Sequence, residues 1–333
     1  MNKPPERILL SRTDSIGDVM LTLPLAGLLK RHFPGVRVAF LGRNYTAPVL
    51  HCCSHIDEVM TLDDLNNVDP AGSVQVLAAS KADSVVHVFP QREVARWCKA
   101  AGIPQRIGTS HRWWHWPTCT DRVSFSRRKS DLHEAQLNVK LLAPLGVSDI
   151  PTLEDLAQLT GFQPSVMDDG VRALLVPGKR NIILHPLSKG SAVEWGTDRF
   201  AELIHALDPH RFQVIVTGTA AEAELYRKGL PLRSAHVTDA GGRLSLDRLI
   251  ALIGASDALV AASTGPLHIA AACGKRAIGL YASKRPIHPG RWAPIGADAH
   301  ALTSIGTYSG DDPVKQIRAI APQRVVTLLE ELS

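Results

Sequence analysis

Short apolar runs alternate with longer stretches of helical spacing along most of the chain. Ile8-Leu9-Leu10 opens as a buried strand, and Val19 to His32 carries apolar residues at helical spacing until Pro34-Gly35 stops it. Val36–Leu41, Glu58–Met60 and Ser84–Val88 read as further strands, with helices around Tyr45–His51 and Gln91–Ala100. Gly102–Gly108 leads into another short strand, and His133–Leu142 reads as a helix. From Gly146 to Lys179 the periodicity fades among Pro151, Pro164 and Pro177, the pattern of an interdomain crossing. A second series then begins at Asn181–His185. It runs helix 198–207, strand 212–217, helix 220–229, strand 235–238, helix 246–253, strand 257–261, a helix after residue 264, and strand 276–281. The tail, Val314–Leu332, is amphipathic and helical.

Continuous apolar strands alternating with helices imply parallel sheets covered on both faces. The pattern predicts an α/β chain of two Rossmann-like, doubly wound domains, residues 1–165 and 175–312. A C-terminal helix, 313–333, is expected to pack back on the first domain. Ligands of such sheets bind beyond the carboxyl ends of the strands, here in a central cleft.

Two domains also suit 333 residues, 45% of them apolar. A formal charge of +5 is mild. It favours anionic ligands or an anionic membrane face without requiring nucleic acid. No apolar run has the length of a membrane-spanning helix, and the start of the sequence has no apolar signal-peptide core. The five cysteines are odd in number and lack zinc spacing, which suits buried thiols in a reducing compartment.

The most informative stretch is Ser263-Thr264-Gly265-Pro266-Leu267-His268. It lies between the apolar run Ala258-Leu259-Val260 and an Ala-rich helix. Ser263 or Thr264 can cap that helix, Pro266 suits its first turn, and Gly265 admits a ligand close to the backbone. Such a junction is either a plain capped turn or an anion site, where free N–H groups and the helix dipole meet a ligand. His268, one helical turn on, could face the same ligand. His185-Pro186-Leu187-Ser188-Lys189-Gly190-Ser191 closes another strand, and Ser188 and Lys189 could meet a diphosphate there. Glu222, after Thr217-Gly218-Thr219, is either a first-turn helix acid or a ribose contact.

In the first half, Arg12-Thr13-Asp14-Ser15-Ile16-Gly17-Asp18 follows the opening strand. Asp18 there is a helix-start acid or a general base. Ser15 and Gly17 could admit an acceptor, and Arg12 could hold an anionic group on it. His111 to Pro117 gathers three of the six tryptophans among arginines, including Arg112. That loop is either an aromatic plug over the sheet edge or a holder of sugar or phosphate. Gly-rich dinucleotide, P-loop, nucleophile-elbow, D-x-D and HExxH motifs are all absent, so no cofactor and no metal site is expected.

Three segments together resemble glycosyltransferase family 9, which includes the ADP-heptose:lipopolysaccharide heptosyltransferases. They are residues 12–18 with Thr22-Leu23-Pro24, then His185-Pro186 to Trp195 with Phe200, and Ser263 to Ala272. The resemblance covers nearly the whole chain and implies a GT-B fold. It implies inverting, metal-independent transfer of heptose from ADP-heptose to the lipopolysaccharide inner core or a lipid A-linked acceptor. The enzyme would work in the cytoplasm, in peripheral contact with the inner membrane and without nucleic acid. Asp18 matches the family's base, Thr264, Gly265 and His268 match its diphosphate loop, and Glu222 matches its ribose contact. Two positions depart. Ser263 stands where members commonly carry Asp, and Val193, followed by Glu194, stands where many carry a phosphate-binding Lys. Lys189 is offered as the substitute. These departures leave open another nucleotide sugar and glycan acceptor, or a non-catalytic nucleotide-sugar binder.

Overall fold

The computed structural model describes residues 4–304, 308 and 310–332. The chain divides into two compact units, Met1–Gln163 and Pro164–Ser333. The change of unit falls inside the stretch where periodicity fades. That stretch is not bare loop, because it carries short helices at Leu153–Gln158 and Asp169–Arg172.

The first unit is built on β1 (Arg7–Ser11), β2 (Arg37–Gly42), β3 (Glu58–Thr61), β4 (Ser84–His87), β5 (Gln105–Thr109) and β6 (Asp121–Val123). They form one sheet in the order β3-β2-β1-β4-β5-β6, every pair parallel. The second unit uses β7 (Arg180–His185), β8 (Phe212–Val216), β9 (Val237–Asp239), β10 (Ala258–Ala262), β11 (Arg276–Leu280) and β12 (Ala299–Leu302). Its order is β12-β11-β10-β7-β8-β9, again all parallel. Counted within each unit, both orders are 3-2-1-4-5-6, the doubly wound Rossmann arrangement. Winding reverses between β1 and β4 in one sheet and between β7 and β10 in the other. A crevice opens at the carboxyl ends of such strand pairs, so the loops after them are where a ligand sits.

The central strands are buried on both faces, as their unbroken apolar runs require: Ile8, Leu9, Leu10, Ile182, Ile183 and Leu184 are fully buried. The helix expected over 19–32 is two helices, Ile16–Met20 and Leu23–His32. Pro24 sits in the first turn of the second, and the Thr22 hydroxyl donates to the Asp18 carbonyl across the break (2.8 Å). The apolar spacing runs through the interruption, which is why the sequence reads as one helix.

The tail also differs from expectation. It forms helices Pro313–Arg318 and Pro322–Glu330, parted at Pro322, and these are built into the core of the second unit. Ile317, Ile320, Val325 and Leu329 are fully buried there. Trp195 lies beneath them, its indole N–H donating to the Ile320 carbonyl (3.0 Å) and its ring edge-on to Phe200. Arg318 pairs with Asp198 on the neighbouring helix Thr197–Ala206 (2.6 Å). A tail with two apolar faces stabilises most by covering the nearest open sheet and helix surface, which here is its own unit's.

Candidate active site

In the first unit the segment after β1 becomes an ion cluster. Ser15 caps the helix Ile16–Met20, accepting from the Asp18 N–H (3.4 Å) while its hydroxyl donates to Asp18 Oδ2 (2.7 Å). This fixes the Asp18 carboxylate at the helix start, with the side chain 19% exposed. Arg12 lies beneath it with its side chain only 5% exposed. Its guanidinium donates to Asp14 Oδ1 (2.7 Å) and to Asp18 Oδ1, and approaches Glu134 (3.8 Å). Glu134, itself buried, also pairs with Arg127, whose guanidinium donates to Asn138 Oδ1 (3.1 Å). Asn138 in turn donates to the Leu21 carbonyl (3.2 Å), closing the frame around the helix break.

Arg12 therefore already has three carboxylate neighbours. Read from the sequence as a cation for an anionic acceptor group, it stands here as the counter-ion that holds Asp18 in place. Burial pushes the Asp14 carboxyl up to about 6, against the pull of Arg12 and with a push from Asp18. Gly17 lies within the short helix and Ser15 at its exposed start, both beside Asp18.

Arg112 lies beyond β5, exposed and stacked over Trp114 (5.6 Å). Between the two regions lie groups the sequence did not single out. His87, at the end of β4, is paired in register with Ser11, and its ring is 5.6 Å from that of His115. Burial holds the His87 imidazole down to about 3 and lowers His115 as well, so both rings are neutral near pH 7. Ser11 Oγ, Thr13 Oγ1, both His87 ring nitrogens and His115 Nε2 have no hydrogen-bond partner among the described residues. Buried polar atoms of this kind normally find partners, so a neutral polar bed lies beside the Asp18 cluster. A histidine ending an apolar strand was its only signal in the sequence.

In the second unit, β10 ends at Ala262 and Thr264 is the N-cap of helix Gly265–Ala272. Thr264 is extended (φ −122°) and makes no side-chain cap, and Pro266 occupies the first turn. The Thr264 hydroxyl is buried with no partner among the described residues. An uncapped helix start with a buried, unsatisfied hydroxyl is suited to an anion. His268 is buried one turn on. Ser263, between β10 and Thr264, is half-buried.

The loop after β7 turns at Lys189 and Gly190, both with positive φ (49° and 79°), and Lys189 is exposed at its tip. Ser188 is buried, and both its N–H and its hydroxyl donate to Glu194 Oε1 (2.8 Å each). A carboxylate thus occupies the donors expected to meet a diphosphate. Glu222 is buried in a capping box: Oε2 accepts from the Thr219 N–H (2.7 Å) and hydroxyl (2.8 Å). That is its helix-start role. His185 bonds Thr217 (2.9 Å), and burial keeps its imidazole below the ordinary range against the opposing pull of Glu222.

Among the described residues, no group of three or more His, Cys, Asp or Glu side chains stands where a metal ion could be held. None of the described helices is long and apolar enough to cross a membrane.

Two Rossmann-like sheets, each with polar loops at its winding reversal, are the arrangement of the GT-B fold. The chain belongs to glycosyltransferase family 9 (heptosyltransferase), whose family model matches residues 74–318. It is 24% identical over 282 residues to lipopolysaccharide heptosyltransferase 3 of Escherichia coli K12, covering 80% of this chain and 79% of that protein. Among solved structures it resembles E. coli ADP-heptose heptosyltransferase II, with a TM-score of 0.76 and 21% identity over 98% of both chains. It also resembles E. coli heptosyltransferase WaaC, with a TM-score of 0.71 and 17% identity over 98% of this chain and 100% of that one.

Proposed function

We propose that this enzyme transfers heptose from ADP-heptose to the inner core of lipopolysaccharide, with inversion at the anomeric carbon and without a metal ion. The first unit takes the acceptor and the second the donor. The observation that carries the reading is the uncapped start of helix Gly265–Ala272 with the buried, unpartnered Thr264 hydroxyl. Solved E. coli WaaC complexes contain ADP and ADP-2-deoxy-2-fluoro heptose, which supports adenosine diphosphate as the nucleotide of the donor. Lipopolysaccharide heptosyltransferases among the relatives support the acceptor class.

In this mechanism Asp18 accepts the proton of an acceptor hydroxyl. The oxygen attacks the anomeric carbon from the face opposite the diphosphate, the bond from that carbon to the diphosphate oxygen breaks, and ADP leaves with the electron pair. The backbone N–H groups of Thr264 and Gly265 and the Thr264 hydroxyl stabilise the charge that grows on the leaving group. Arg12 and Ser15 orient the base, and Glu222 contacts the ribose with the acceptor capacity its capping box leaves. Reaction on the cytoplasmic face of the inner membrane fits a lipid-linked acceptor.

Glu194 favours a second reading. A carboxylate bonded to Ser188, directly after Val193, the position where many members carry a phosphate-binding Lys, suits a different nucleotide sugar. The deciding experiment incubates ADP-heptose with heptose-deficient inner-core acceptor, with and without EDTA, and follows the product by NMR. Inverted heptoside formed equally in both arms is expected. No product from ADP-heptose alongside product from another nucleotide sugar removes the donor assignment, and loss of product with EDTA removes metal independence.

A further inference from the structure

The loop beyond β5 holds an aromatic pair out in solvent. Trp113 is 63% exposed and Trp116 61%, more than any other large apolar side chain described in the first unit. Neither is there for want of a better place to fold. The Trp116 indole N–H donates to the Ser110 carbonyl (3.2 Å), His115 Nδ1 bonds the Thr109 carbonyl (2.9 Å), and Lys99 donates to the Pro117 carbonyl (2.9 Å). These bonds hold the loop while both rings stay outside. A guanidinium lies over each ring, Arg92 on Trp113 (4.8 Å) and Arg122 on Trp116 (4.7 Å).

Charge is concentrated in the same place. Residues 89–129 carry nine Lys or Arg against two Asp or Glu, more than the whole chain's excess of +5, so the remainder is slightly acidic. Cationic attraction is therefore local to this segment. The loop also joins the sheet edge that bears Asp18, through ring contacts from His87 to His115 (5.6 Å), His115 to Trp114 (6.2 Å) and Trp114 to Trp113 (5.9 Å).

We propose that Trp113 and Trp116, with their stacked arginines, dock the first unit on an anionic lipid surface. Tryptophan settles at the boundary between headgroups and acyl chains, where its ring is apolar and its N–H edge is wet. Arginine pairs with headgroup phosphate, and each basic residue near an anionic leaflet adds to the attraction. Nucleic acid fits the patch less well. Bases stack on open ring faces, and one face of each exposed ring already carries a guanidinium. The docking goes beyond the transfer reaction and does not depend on the identity of the donor.

The test is co-sedimentation of the full chain with phosphatidylcholine vesicles, with and without about a third phosphatidylglycerol. Tryptophan quenching by brominated phosphatidylcholine is read in parallel. Wild type is expected to bind the anionic vesicles in a salt-sensitive way and to be quenched. Trp113→Ala/Trp116→Ala is expected to bind about tenfold more weakly and lose the quenching, with nucleotide binding by the second unit unchanged as the control for folding. Equal vesicle binding by the double variant, or no binding of wild type to anionic vesicles, overturns the proposal. So does a loss confined to single-stranded oligonucleotide binding with vesicle binding intact.

Discussion

Asp18→Asn is expected to lower turnover by about a thousandfold while leaving nucleotide affinity unchanged. Asparagine keeps the size of the side chain and can still accept from Arg12, but it cannot take a proton from the acceptor hydroxyl. Loss of a positioned general base typically costs about 10² to 10⁴ in rate, and a thousandfold is about 4 kcal/mol of barrier. The kcat should carry the loss, with the acceptor KM changed little. Asp14 is the internal control, since it shares Arg12 with Asp18. Asp14→Asn is expected to stay within about tenfold of wild type, because its role here is electrostatic rather than chemical. Steady-state kinetics and nucleotide calorimetry on the two variants check this. A reversed ranking would make Asp14 the base.

The second large effect is on stability. Arg12→Met removes the counter-ion shared by Asp14, Asp18 and Glu134. Leaving buried carboxylates without their partner costs about 3–5 kcal/mol. The deficit should depend on pH in a definite direction. Folded Asp14 is already held up to about 6, above its ordinary unfolded value of about 3.9. The folded chain therefore binds the Asp14 proton more tightly, and its contribution to stability is present at acid pH and lost as pH rises through about 6. Without Arg12 the attraction opposing that shift is gone, so the loss extends to higher pH. Denaturant midpoints of wild type and variant should lie farther apart at pH 8 than at pH 5. An equal separation at both, or one worth less than about 1 kcal/mol, contradicts the shared-counter-ion account.

The strands that organise both sheets were legible because burial on two faces demands continuous apolar runs, as in Ile8-Leu9-Leu10 and Ile182-Ile183-Leu184. Of the four edge strands, β3 and β9 were read but β6 and β12 were not. β6 and β12 are short and half-exposed, so nothing forces an apolar run on them. The helix Pro70–Ala79 was missed for a similar reason: its small residues bury only Ser73 and Leu77. Asp18 and Thr264 could be singled out because both follow strands whose carboxyl ends are readable. The partners of Asp18 could not, since Arg12 meets Glu134 only after the sheet has brought distant segments together. Glu194 shows the converse. It was visible only as the residue after Val193, where the sequence departs from a family pattern, but its bonds to Ser188 follow from the loop's turn at Lys189 and Gly190.

The most direct measurement is calorimetry of ADP, UDP and GDP, with and without Mg²⁺, on wild type and on Thr264→Pro. Proline removes the Thr264 N–H and hydroxyl and prefers φ near −65° where the chain needs −122°. ADP should bind best and without Mg²⁺, and binding should be lost in the variant. Failure of all three nucleotides to bind wild type, or ADP binding by Thr264→Pro as tight as by wild type, would make this helix start structural and contradict its role as the donor site.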